Sequence, residues 1–155
     1  MILRTAIGSF GRDQNACTAD VSAIRDCLEV NLIGLVQTTI TFLPLLRASP
    51  QAVILNVSSE LASNSSQASP NARIHVVAYN TSKAAVNSYT IALAQELKKE
   101  GIKVNAVTPG LTTTKLNNFH PGGKTTRQGA ESLVPWALLD MDGPTCKCCA
   151  TLCWR

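Results

Sequence analysis

The sequence predicts an α/β protein, a parallel sheet with flanking helices, and three stretches carry that prediction. Ala52 to Val57 is a short unbroken apolar run with one buried-type asparagine, the pattern of a strand covered on both faces. Ser82 through Glu100 repeats apolar residues at helical period, with Val86, Tyr89, Leu93 and Leu97 on one stripe and Gln95, Glu96, Lys98, Lys99 and Glu100 toward water. Ile102 to Val107 then reads as a second strand ending at Pro109. Strand, helix and strand make one βαβ unit, whose crossover is expected to be right-handed.

The chain opens on Ile7-Gly8-Ser9-Phe10-Gly11, which is glycine-spaced but has neither a strand signal before it nor a third glycine, so it is not read as a pyrophosphate cradle. From Asp20 to about Ser49 the residues Val21, Ile24, Leu28, Leu32, Leu35, Val36, Leu43 and Leu46 recur close to helical period, and Thr18 or Asp20 can cap the start. Gly34 and Pro44 weaken that helix, and a local break is expected near Asn31. Taken alone, Asn31 reads as a capping or surface amide. Residues 60–74 gather Asn64, Ser65, Ser66, Ser69, Pro70 and Asn71 and are expected to form a loop, with His75 at its end. Gly101 is placed to end the helix before it. Beyond Thr114 the chain is polar through His120 and Gly123, and a short helix is expected from Thr126 to Leu139.

Composition bounds the function. A chain of 155 residues, 45% hydrophobic and 15% charged, has the make-up of one globular domain rather than of a disordered segment. No apolar run reaches the roughly 20 residues of a bilayer span, and Met1 to Ala6 is too short for the apolar core of a signal peptide. No membrane association is expected, and a cytoplasmic protein is. The net charge of +4 comes from basic residues that are scattered, so no nucleic-acid partner is expected. The N-x-S/T triplets at Asn56, Asn64 and Asn80 are read as chance matches. Cys17 and Cys27 are expected to be single buried or half-buried thiols. Cys146, Cys148, Cys149 and Cys153 crowd into one short stretch, without the two separated ligand pairs of a tetrahedral zinc site, so no metal is expected.

Chemistry points to Tyr79-Asn80-Thr81-Ser82-Lys83. At i, i+4 in a helix the phenol and the ammonium project from one face. A cation held there is expected to lower the phenol's pKa, making Tyr79 a candidate general acid or base. Ser58-Ser59 stands at the carboxyl end of the first predicted strand and Pro109-Gly110 follows the second, the end of an open α/β sheet where ligands bind.

The ordered pieces V-N-L-I-G (30–34), I-L-N-V-S-S (54–59), Y-N-T-S-K (79–83) and V-N-A-V-T-P-G-L-T-T-T (104–114) resemble the short-chain dehydrogenase/reductase family, over about residues 5–145. Residues 129–145 resemble its carbonyl-reductase-like branch more loosely. The resemblance implies a Rossmann-like parallel sheet that lacks the family's N-terminal strands and Gly-rich turn. Arg4-Thr5-Ala6-Ile7-Gly8 would replace an Asn-Asn-Ala-Gly motif that follows the family's fourth strand. It implies further that Tyr79 exchanges a proton with the substrate oxygen and that Lys83 assists it and binds the nicotinamide ribose. Ser59, rather than Ser58, would hydrogen-bond that oxygen, and Asn31 would hold a water linking Lys83 to solvent. Pro109, Gly110 and Thr114 would lie along the nicotinamide.

The implied activity is interconversion of a carbonyl and an alcohol with NADP or NAD. No Gly-rich turn or ribose-reading residue is present to choose between them. Residues 1–145 would then be the C-terminal portion of such a domain, and 146–155 a disordered Cys-rich tail. Without the earlier strands, the strand at 52–57 is expected to expose an apolar edge. The alternative reading is an inactive truncated relative that serves as a partner in homo- or hetero-oligomers through helices at about 20–48 and 82–100.

Overall fold

The computed structural model describes residues 1–4, 6–72 and 74–149. Four parallel strands form one sheet in the order β1 (Ile2–Leu3), β2 (Val53–Val57), β3 (Lys103–Val107) and β4 (Lys147–Cys149). The full βαβ unit is present. Val53 to Val57 pair in register with Lys103 to Val107, and the crossover between them is α4, Val77–Leu97.

Two strands correct the expectations drawn from sequence. The pair Ile2–Leu3 lies parallel to Leu55–Asn56, so β2 is an inner strand and β1 stands at the edge. It also gives the glycine-spaced stretch at 7–11 a preceding strand. Two residues carry no period of their own, and only the neighbour's free ladder groups make them a strand. At the other edge, residues 147–149 of the expected disordered tail pair with Asn105 to Val107. The buried Asn105 draws them in: its Oδ1 accepts from Lys147 N at 2.9 Å and its Nδ2 donates to Pro144 O at 3.0 Å. Val104 N donates to Thr145 Oγ1 beside it. Residues 150–155 of that tail lie outside the described residues.

The first long helix is interrupted where expected. Asp20 caps α1 (Val21–Leu28) by accepting from Ser22 N, one π turn follows over Glu29–Ile33, and α2 runs from Gly34 to Arg47 with Pro44 inside it. Such bulges insert one residue into the turn and redirect the side chains around it. Here the redirected residue is Asn31, which is fully buried. Together the three segments make a helix long and apolar enough, by length and composition, to cross a membrane, which corrects the count made from apolar runs alone. Ala23, Cys27, Leu35 and Thr39 nevertheless face the interior.

The third long segment starts earlier than its apolar stripe suggests, at Val77 rather than Ser82, so Tyr79 and Lys83 sit in its first two turns. Leu93, Ala94 and Leu97 pack on Ala52, Ile54, Ile102 and Val104 of the sheet. Each fully buried side chain of this size contributes about 1.5–3 kcal/mol by leaving water. The predicted loop at 60–74 holds a single 3₁₀ turn at Glu60–Ala62 and the short α3, Asn64–Gln67. The helix expected at 126–139 is two pieces, α5 (Thr126–Glu131) and α6 (Val134–Ala137), with Pro135 in the first turn of the second. Cys27 is buried as expected, whereas Cys17 is exposed.

Gly101 ends α4 with φ +73°, a left-handed residue that lets the chain reverse into β3. An added Cβ would meet nothing within 4 Å, so the cost of a side chain there is purely that of the backbone conformation. Gly101→Ala is expected to lower the unfolding free energy by about 1–2 kcal/mol, read from urea denaturation midpoints, with Gly101→Asn losing less.

Candidate active site

Every predicted site residue falls at one end of the sheet. Ser58 and Ser59 leave the carboxyl end of β2, Thr108 to Thr114 leave that of β3, and the first turns of α4 stand over both. A cavity of about 690 Å³ opens there, lined among others by Ser59, Tyr79, Lys83, Pro109, Gly110 and Thr114.

The tyrosine and lysine do share a face. Lys83 Nζ lies 6.0 Å from the centre of the Tyr79 ring and donates to the carbonyl of Val57 at 2.9 Å. Val57 is the last residue of β2, so the strand end supplies an acceptor that the lysine reaches from the helix. The Ser59 hydroxyl stands near enough to the Tyr79 phenol to favour its ionised form, and it accepts from Leu61 N at 3.2 Å. Its neighbour also borders the cavity but is engaged by α4: Ser58 Oγ donates to Asn87 Oδ1 at 2.6 Å.

Burial sets the electrostatics. The Lys83 ammonium is 2% exposed, and desolvation brings its pKa from the ordinary 10.5 to about 8. Desolvation likewise raises the Tyr79 phenol, with the Ser59 hydroxyl opposing it. This reverses the expectation that Lys83 lowers the phenol. In the chain alone, loss of water around each group is the largest cause of its shift.

Asn31 is not a surface amide. Its Oδ1 accepts from Ile7 N at 2.8 Å, and its Nδ2 donates to Ile7 O at 2.9 Å and to Ser82 Oγ at 2.9 Å. It therefore clamps the segment after β1 to α4, one residue from Lys83, with both side-chain donors used. Gly110 takes φ +75°, and a Cβ there would stand 3.2 Å from Lys124 Nζ, which donates to Pro109 O at 3.1 Å. The following loop closes on itself, since Thr113 N donates to Lys124 O and Lys124 N to Leu111 O, both at 2.9 Å. Thr114 N donates to Asn117 Oδ1 at 3.0 Å within it. His75 is exposed and is not among the residues lining the cavity.

Several residues of the site carried no sequence signal. Phe10 stacks on Tyr79 with ring centres 5.4 Å apart, tilted by 59°. Arg4 and Glu60 line the cavity, and Gln14 bonds to the backbone of Tyr79. They sit in polar or glycine-rich stretches whose composition says only that a loop is present. A buried glutamine in such a stretch becomes visible only when its partners are.

A profile of the short chain dehydrogenases matches residues 2–122, and the chain belongs to that family. Salutaridine reductase of Papaver somniferum is 32% identical over 156 residues, covering 77% of this chain and 49% of the relative. (+)-Neomenthol dehydrogenase of Capsicum annuum is 29% identical over 174 residues, covering 89% and 54%. The solved structure of the Papaver somniferum salutaridine reductase superposes with a TM-score of 0.70 at 28% identity, over 84% of this chain and 55% of that one. ElxO with NADP bound superposes at 0.75 and 20% identity, over 95% and 62%, a likeness of fold. The chain thus spans about half the length of the curated relatives it matches.

The lysine makes stability depend on pH. With a folded pKa of about 8 below the ordinary 10.5, Lys83 binds fewer protons folded than unfolded between those values, so its contribution to stability rises as pH rises through that window. Above about pH 10 the raised Tyr79 opposes it, because a phenol with a raised folded value loses stability as pH climbs. Between pH 8 and 10 the unfolding free energy is expected to rise by about 2–3 kcal/mol more in the wild-type protein than in Lys83→Met, measured by denaturant titration at each pH.

Proposed function

We propose that this chain is the catalytic portion of an NAD(P)-dependent oxidoreductase that interconverts a carbonyl and an alcohol on a small molecule. The observation that carries the reading is the meeting of the Tyr79 phenol, the Ser59 hydroxyl and the Lys83 ammonium at the ligand end of a parallel sheet.

The residues present fit the nicotinamide half of such a cofactor. Gly110, without a Cβ and at positive φ, leaves room along the cavity wall, and Pro109 and Thr114 line it on the same side. When bound, the cofactor supplies or removes the hydride. Everything else is proton handling. Ser59 donates to the substrate oxygen and holds it toward Tyr79, whose phenol gives up its proton as negative charge develops on that oxygen. A raised phenol pKa keeps that proton in place until it is needed, which suits the reducing direction. Lys83 replenishes it, and its pKa of about 8 puts proton exchange within reach of neutral pH. Asn31 secures the backbone beside Lys83, and in this reading it also holds the water that joins the lysine to solvent. The thiols of Cys17 and Cys27 are compatible with action in the cytoplasm.

Nicotinamide fluorescence should increase when the folded chain is mixed with NADPH; no increase at millimolar cofactor, from protein with native circular dichroism, rejects the reading. Tyr79→Phe should lower carbonyl reduction by about 10²–10⁴-fold while NADPH binding stays intact.

A second reading is favoured by exposed apolar side chains on the two long helices. Ile40, Phe42 and Leu45 of α2 are 62%, 46% and 68% exposed, and Ile91 of α4 is 38% exposed. Apolar exposure of this kind is suited to pairing with a second copy or a longer relative. Sedimentation equilibrium is expected to show a dimer that Ile40→Glu with Leu45→Glu converts to monomer, and a monomeric wild-type chain would remove this reading.

A further inference from the structure

Residues 8–14 leave the strand end after β1, cross over the first turn of α4 and return to the surface. Three features hold them there. Helix α4 begins at Val76 with no side-chain cap, yet its first backbone donors are not left open: Val77 N donates to Gln14 O at 3.1 Å and Tyr79 N to Gln14 Oε1 at 3.3 Å. Gln14 thus caps the helix from a different segment, satisfying donors that otherwise have no partner within the helix. The other end of the same amide donates from Nε2 to Gly8 O at 2.8 Å, so one buried side chain ties Gly8 to the backbone of Tyr79.

The conformation of the segment is built around an aromatic ring. Ser9 adopts φ +48°, which few residues with a Cβ adopt, and it turns Phe10 back across Gly8. A Cβ on Gly8 would fall 2.3 Å from the Phe10 ring, so the glycine is the space the ring occupies. The ring lies against Tyr79 at the tilted geometry that aromatic pairs favour, and it lines the cavity. Strained backbone, a required glycine and a buried amide all serve to place one ring on one phenol.

We propose that residues 8–14 are a strap in which Gln14 and Phe10 are positioning residues for Tyr79: Gln14 fixes the turn that carries the tyrosine, and Phe10 shields its ring from water. The inference rests on the reading of Tyr79 as the proton carrier. The other groups that face the phenol are Lys83 of its own helix, Cys27 of α1 and Ser59 beyond β2, while Arg4 and Glu60 line the same cavity. Cys27 Sγ also donates to Ser9 Oγ at 3.6 Å, and neither variant below replaces Ser9 or any of these groups.

The chain has two tyrosines, so in a Tyr89→Phe background the near-ultraviolet absorbance of the phenolate reports Tyr79 alone. Phe10→Ala in that background admits water to the ring, and the titration midpoint is expected to fall by about one unit. Gln14→Met keeps bulk but releases both of its bonds, and it is expected to lower the midpoint in the same direction. The double variant should move no further than Phe10→Ala alone, because the two act through one ring. Circular dichroism at each pH follows the fold. Phe10 is 42% exposed, so its truncation leaves the core intact, and Gln14→Met carries the test by itself if Phe10→Ala does not fold. A phenolate that appears at the same pH in the parent and the variants, before or together with loss of the fold, overturns the proposal. The readout needs neither cofactor nor turnover. Failure to bind NADPH would therefore leave the strap standing, and an unmoved midpoint would remove the strap while leaving the carbonyl reading intact.

Discussion

A buried ammonium that reaches one backbone carbonyl is the contact on which this site depends. Lys83 is almost without solvent, and it donates to the last carbonyl of β2. Desolvation of a cation is costly, and a single neutral acceptor offsets only part of it, as the fall in pKa to about 8 records. The fold bears that cost because α4 is anchored elsewhere, through Leu93, Ala94 and Leu97 on the sheet and through Thr90, whose hydroxyl accepts from Asn56 Nδ2 at 2.8 Å. The far end of the helix supplies the stability that holds the buried lysine at its near end.

Several polar side chains act as connectors between segments distant in sequence. Asn31 joins the segment after β1 to α4, Asn56 joins β2 to α4, Asn105 brings β4 to β3, and Gln14 joins the strap to the start of α4. Each is buried, and each bonds to a segment other than its own. Buried amides hold a register that apolar packing alone leaves free, since apolar contacts tolerate sliding and hydrogen bonds do not. The π turn at Glu29–Ile33 fits this pattern, because the fully buried Asn31 stands at its centre.

Much of the site was legible from sequence because its chemistry is local. Tyr79 and Lys83 lie one helical turn apart, and Ser58-Ser59 adjoins the strand that precedes them. Period and spacing also located β2, α4, β3 and the break at Asn31. What was not legible depends on partners far along the chain. Ile2–Leu3 is a strand only beside Leu55 and Asn56, and Lys147–Cys149 only beside Asn105. The start of α4 at Val77 depends on Gln14, which stands 65 positions before Tyr79.

The central strand, helix and strand, and the candidate tyrosine, lysine and serine at one end of them, were legible in the sequence alone, because helical and strand periods are properties of neighbouring residues. The sign of the tyrosine's pKa shift, the burial of Asn31, and the presence of Phe10 and Gln14 were decided only by the tertiary structure. Burial and hydrogen bonding are sums over everything that surrounds a group, and most of what surrounds Tyr79 comes from elsewhere in the chain.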